Sequence, residues 1–168
     1  MKLTVDQDFP APPDVLWSVF SDRDYPPAKY RALGATHFEM SKFVATADEI
    51  SVDLSRRIPV ALDKLPSFAR KFVGDEQTMR HETRWRRGAD GAVSAELVIT
   101  PVGRPVKIAG TARLAARGNG ARLSFELDVT SDVPLIGGKV AKLFADQVEA
   151  ALAADHQFTL QYLAKKQA

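Results

Sequence analysis

The chain has 168 residues, 45% hydrophobic and 26% charged, the balance of a soluble globular protein long enough to bury a sizeable core. Its 23 basic and 21 acidic residues leave a formal charge of only +2, which argues against bulk electrostatic binding to nucleic acid or anionic membrane. The absence of cysteine excludes disulfides, thiolate metal sites and cysteine nucleophiles, and 3 histidines do not make a histidine-rich site, so no metal or cofactor is expected.

The first residues alternate, with Leu3, Val5 and Phe9 on one face, and read as a strand. Asp6 and Asp8 interrupt any apolar leader, and no run approaches the roughly 18 apolar residues of a membrane span. The expected location is the cytoplasm, without stable membrane insertion. Pro10, Pro12 and Pro13 stop the strand, and Pro13 can open a helix because its missing N–H costs nothing there. Val15, Leu16, Val19 and Phe20 follow at helical spacing. Ser21 and Asp22 break this helix, Pro26–Pro27 starts a second, and Gly34 ends it.

The middle of the chain is strand-like. Phe38 and Met40 mark one candidate; Ile50, Val52 and Leu54 alternate in the next. Residues 59–75, with Pro59 and Pro66, read as an excursion at a sheet edge containing a helical turn or two. Met79, His81, Thr83 and Trp85 then point one way, and Arg80, Glu82, Arg84 and Arg86 the other. Further strands carry Val93 to Ile99, Val106 to Leu114 and Leu123 to Val129. They are separated by Gly- and Pro-rich turns, of which Gly118-Asn119-Gly120 is a strong hairpin signal. Short strands at regular intervals indicate an antiparallel meander.

Leu135 to about Lys165 is proline-free and alanine-rich, and predicts one helix about 45 Å long. Ile136, Val140, Leu143, Phe144, Ala151, Phe158 and Tyr162 share a side, flanked by Val148, Leu152 and Leu163. Lys139, Lys142, Asp146, Glu149 and Gln157 lie opposite. So wide an apolar stripe needs an extended apolar surface, such as the concave face of a curved sheet. With no internal repeat or linker, residues 1–168 are expected to form one domain.

The order strand, two short helices, about six strands, long helix resembles the START-like (helix-grip, Bet v 1-like) superfamily. More narrowly, the chain resembles the uncharacterised bacterial family DUF2505. The resemblance is carried by Phe9, Ala11, Pro12, Val15 and Trp17, by Leu33-Gly34 and Leu65-Pro66, by Gly103-x-Pro105 with Gly110, and by Val133 to Lys139. It implies an α+β fold in which a curved antiparallel sheet of about seven strands surrounds the C-terminal helix and encloses a cavity. The residues it would place near that cavity are Met40, Val52, Leu54, Met79, His81, Thr83, Trp85, Leu97, Ile99, Ile108, Phe125, Val140, Phe144, Gln147, Ala151 and Asp155. Ligand sites are mostly apolar with a few placed polar groups, here His81, Thr83, Gln147 and Asp155. A filled core is the competing reading of the same set.

The leading functional expectation is non-catalytic binding of a small hydrophobic molecule, lipid-like or polyketide-like. An enzyme of the cyclase, dehydratase or hydrolase type is one alternative, and a co-chaperone-like interaction module with an unspecified protein partner is another. His81 with Asp155 is the only pair resembling an acid–base arrangement, because a carboxylate can orient an imidazole. A lone inward histidine is more often a satisfied core residue. Arg80, Arg84, Arg86 and Arg87, with Arg56-Arg57 nearby, read as a solvated outer face interleaved with Asp53, Glu82 and Glu96. Gly137-Gly138-Lys139 lacks the first glycine of a phosphate loop and reads as close packing at a helix start.

Overall fold

The computed structural model describes residues 1–166 in full and the backbone of Gln167. The period-two runs form strands β1 (Lys2–Phe9), β2 (His37–Ala45), β3 (Glu49–Pro59), β4 (Glu76–Arg87), β5 (Val93–Pro101), β6 (Val106–Arg117) and β7 (Gly120–Ser131). The helices are α1 (Pro13–Phe20), α2 (Tyr25–Ala32), the single turn α3 (Ser67–Arg70) and α4 (Gly137–Gln167). The 59–75 excursion holds α3 and a short 3-10 turn, Leu62–Lys64.

All seven strands join one antiparallel sheet in the order β1-β7-β6-β5-β4-β3-β2. From β2 onward each strand pairs with the next in sequence. β1 pairs with β7 instead, so α1 and α2 carry the chain from one sheet edge to the other. A bulge between Met40 and Lys42 shifts the register on the outer strand β2. Gly110, in the middle of β6, is required by close approach: a Cβ there would lie 2.0 Å from the Glu126 carbonyl oxygen on β7.

The sheet curves around α4, which packs on β7, β1 and β6. Val140, Ala141, Phe144, Ala145 and Val148 bury the first half of the helix, and Thr159 and Leu163 bury its far end. The helix starts at Gly137, two residues after the predicted Leu135. Leu135 is fully exposed with φ of 69°, because the chain must turn sharply out of β7 before the helix can begin. Gly137 then seats against β7, where a Cβ would meet the Ser131 carbonyl oxygen at 2.7 Å.

Polar ties fix the helix in place. The buried Gln7 amide on β1 donates to the Leu152 carbonyl oxygen at 2.8 Å. The hydroxyls of Tyr25 and Thr159 hydrogen-bond at 2.5 Å, joining α2 to α4. Tyr162 donates to Asp22 Oδ2 at 2.9 Å and Lys166 at 2.6 Å, anchoring the last turns to the α1–α2 link. On the outer sheet face, Arg84 pairs with Asp53 at 2.7 Å.

Candidate functional site

Between the sheet and α4 the side chains leave a cavity of about 450 Å³. It exists because α4 leans on the β1–β7–β6 side, leaving the inner face of β3, β4 and β5 uncovered in part. Ile50, Val52, Leu54 and Ile58 of β3 line it in strict alternation, as do Met79, Thr83 and Trp85 of β4. Leu97 and Ile99 of β5 and Leu123 and Phe125 of β7 continue the wall. Phe144, Gln147, Val148, Ala151, Leu152 and Asp155 form the helix side. Phe20 of α1 stacks on Trp85 with ring centroids 5.2 Å apart, and Val60, Leu65 and Val73 close the wall from the 59–75 excursion.

Of the residues expected near the cavity, three lie outside the lining. Ile108 and Val140 are fully buried in the packed core, where the first turns of α4 meet the sheet and leave no space. Met40 sits on the outer strand β2, two strands from β4, and the bulge that follows it ends the regular alternation there. The other thirteen named positions line the cavity. Gln147 does so from an exposed position on α4.

His81 and Asp155 both line the cavity, yet they are not hydrogen-bonded to one another. His81 Nε2 accepts from Arg56 Nε at 3.1 Å, and Asp155 Oδ2 accepts from Lys29 Nζ at 3.2 Å. Accepting at Nε2 requires a neutral imidazole with its proton on Nδ1. Burial, reinforced by the charges of Arg56 and Lys29, holds the His81 pKa well below its ordinary 6.5. Its Nε2 lone pair is occupied and Asp155 is neutralised, so the pair does not form an acid–base dyad.

Several polar residues of the wall come from outside the sequence-predicted set. Arg56, expected with Arg57 on the outward basic face, lies on the inner face of β3 in phase with Ile50, Val52 and Leu54. Its buried guanidinium lies 4.8 Å from the Tyr30 ring centroid. Lys29 covers the other aromatic surface, 4.6 Å from Tyr30 and 5.2 Å from Tyr25. Burial disfavours the Lys29 charge, but Asp155 together with Tyr30 and Tyr25 outweighs it and raises the pKa above the usual lysine range. Tyr25 is held above its ordinary value mainly by burial. The parity of β3 is visible in the sequence and signals Arg56; the approach of α2 to α4, which assembles Lys29, Tyr25, Asp155 and Thr159, has no local signature.

A curved sheet, short helices between β1 and β2, and a cavity beneath a long C-terminal helix make up the START-like fold. Solved structures bear this out. TTHA0849 from Thermus thermophilus superimposes with a TM-score of 0.61 over 96% of this chain and 99% of its own, at 15% identity. A START superfamily protein from Mycobacterium smegmatis gives 0.52 over 96% and 98% of the two chains, at 14% identity. A STAR-related lipid transfer protein from Xanthomonas axonopodis gives 0.52 over 84% and 77%, at 15% identity. The chain belongs to the family described as protein of unknown function DUF2505, which it matches over residues 4–163. Rv0481c of Mycobacterium tuberculosis, an uncharacterised protein, is 23% identical over 116 residues, covering 68% of this chain and 67% of its own. Among the described residues no helix is long and apolar enough to cross a membrane.

Proposed function

We propose that this protein binds a small hydrophobic molecule, lipid-like or polyketide-like, in the cavity between sheet and helix, without transforming it. The carrying observation is the cavity itself: about 450 Å³ of mainly apolar space, partly open to solvent, beside a core whose other half is filled. That volume lies within the roughly 300–1,000 Å³ of small-molecule sites. Desolvation supplies the driving force; burying on the order of 300 Å² of apolar ligand surface gives roughly 7 kcal/mol before the costs of association. Support by analogy comes from the Xanthomonas neighbour described as a lipid transfer protein. Ligands would enter by displacement of the 59–75 excursion, whose Val60, Ala61, Lys64 and Leu65 line the cavity.

The test is direct. Organic extracts of natively purified protein, read by mass spectrometry, should contain an apolar molecule at near-stoichiometric amount. The delipidated chain should bind the neutral dye Nile red saturably, with a blue-shifted emission. An empty extract together with no saturable dye binding overturns the reading.

A further inference from the structure

Arg56 is the anomaly of the cavity wall. Its residue is only 9% exposed, and arginine is almost never buried without a partner of opposite charge. Guanidinium carries five N–H donors. Nε is spent on the neutral His81, and the Tyr30 ring covers one face. Among the described residues neither Nη atom has a hydrogen-bond acceptor, and no carboxylate pairs with the group. Lys29 differs, since Asp155 neutralises it at 3.2 Å.

We propose that the cavity is built for an amphiphile with one carboxylate head, held by the two Nη groups of Arg56, with its tail among Val52, Leu54, Leu97 and Phe125. This deepens the ligand-binding reading above and rests on it. The charge count selects the head. Of the lining cations, Lys64 is exposed to solvent; among the lining charges drawn in from the surface, Lys29 and Arg56 contribute two positive and Asp155 one negative, leaving one positive charge. One carboxylate cancels it and offers two oxygens to a planar fork, the arrangement guanidinium binds most strongly. A phosphate monoester, at roughly −1.5 to −2, over-compensates. A hydroxyl or ester head leaves the guanidinium charge unpaired. His81 then acts as a positioning residue: it fixes the guanidinium through Nε while adding no charge of its own. Tyr30 supports the same orientation from the ring face.

The experiment uses the delipidated full chain and three probes of equal tail length, dodecanoate, dodecan-1-ol and dodecyl phosphate, titrated by calorimetry. Wild type should bind dodecanoate at least about tenfold more tightly than dodecan-1-ol, and more tightly than dodecyl phosphate. R56M should lose the preference for dodecanoate while keeping dodecan-1-ol affinity within about threefold, and R56K should retain part of it. Equal affinity of wild type for acid and alcohol, or an undiminished preference in R56M, overturns the head-group assignment and leaves the cavity reading standing. Tightest binding of dodecyl phosphate overturns the carboxylate assignment. Failure of all three probes, with no Nile red binding, removes the cavity reading as well. If R56M does not give the cooperative thermal melt of wild type, the wild-type preference and its reduction in R56K decide the question.

Discussion

The two halves of the sheet face the same helix and are built on different terms. Under β1, β6 and β7 most inward side chains are apolar and packed away from the cavity, as Leu3, Ile108, Ala112, Leu114, Leu127 and Val129 are, and only Phe9, Leu123 and Phe125 border it with their apolar surface. The one polar exception, Gln7, spends its amide on α4. Under β3 and β4 the same alternation runs through Ile50, Val52 and Leu54, then admits Arg56, Gln77, His81 and Thr83. Contact with α4 closes the first half, so its stability is close-packing and desolvation. In the second half the helix stands off, and the space is large enough for a guanidinium, an imidazole and a guest. The core is therefore complete on one side and unfinished on the other, and the unfinished side is where polar groups converge.

Substitutions should separate the halves, most sharply at glycine. In Gly110→Val the new Cβ lies 2.0 Å from Glu126 O and 2.8 Å from Leu127 Cα, both backbone atoms of a central strand that cannot move aside. A loss of about 3 kcal/mol or more is expected in urea denaturation. Gly74, beside the cavity-lining excursion, meets only ordinary contacts at 3.6 Å and 3.7 Å, so Gly74→Ala should stay within about 0.5 kcal/mol. Similar costs at both positions would mean that the close approach of β6 to β7 is not tight. Truncation should follow the same division. Ile108→Ala empties a fully packed site and should cost about 3–4 kcal/mol. Leu54→Ala enlarges a space that is already open on one side of the side chain, and should cost about 2 kcal/mol or less.

How much of this was legible depended on whether the signal was local. The strands, the two short helices after β1 and the single long helix follow from period and from proline and glycine placement. The helix start is off by two residues because Leu135 takes a left-handed turn that its residue type does not announce. Most of the cavity wall was readable from parity, since Val52, Leu54, Thr83 and Leu97 each keep step with neighbours in the alternation. Ile108 keeps the same strand parity and Val140 lies on the same apolar stripe of α4 as Phe144 and Ala151, yet both sit where α4 touches down; that distinction is set by how the helix lies on the sheet. Arg56 shows the opposite failure. Its position in β3 predicts an inward side chain, but its charge predicts an outward one, and parity prevails because Tyr30 and His81 receive the guanidinium.

Enlarging a small helix residue offers a milder contrast. Ala145→Phe forces a ring into the closed contact and should cost about 2 kcal/mol. Ala151→Phe points into the hollow and should change stability by less than about 1 kcal/mol. Ala151→Phe should nevertheless weaken Nile red binding strongly, whereas Ala145→Phe, if folded, should leave it intact. Loss of dye binding in both variants would place the dye somewhere other than the cavity.

The smallest effect is the most diagnostic of the polar half, because β1, β6 and β7 contain no histidine. Burial first, then Arg56 and Lys29, hold the His81 pKa well below 6.5. The unfolded chain takes up a proton near 6.5 that the folded chain refuses, so acid favours unfolding. Stability contributed by neutral His81 is present above pH 6.5 and falls as pH drops below it, by at most about 1.4 kcal/mol per pH unit. Asp8 and Asp22 are held below their ordinary 3.8, by Arg122 and Lys166 respectively, so their contribution is lost only in stronger acid. The interval from pH 6.5 to about 5 therefore tests His81 without those two carboxylates. His81→Gln keeps an oxygen acceptor for Arg56 Nε but cannot titrate. It should lie within about 1 kcal/mol of wild type at pH 7.5 and lose most of the slope between pH 6.5 and 5 in chemical denaturation. An unchanged slope would mean that His81 takes up its proton in the folded protein, which would cost Arg56 its acceptor and undo the picture of a neutral wall around one unpaired guanidinium.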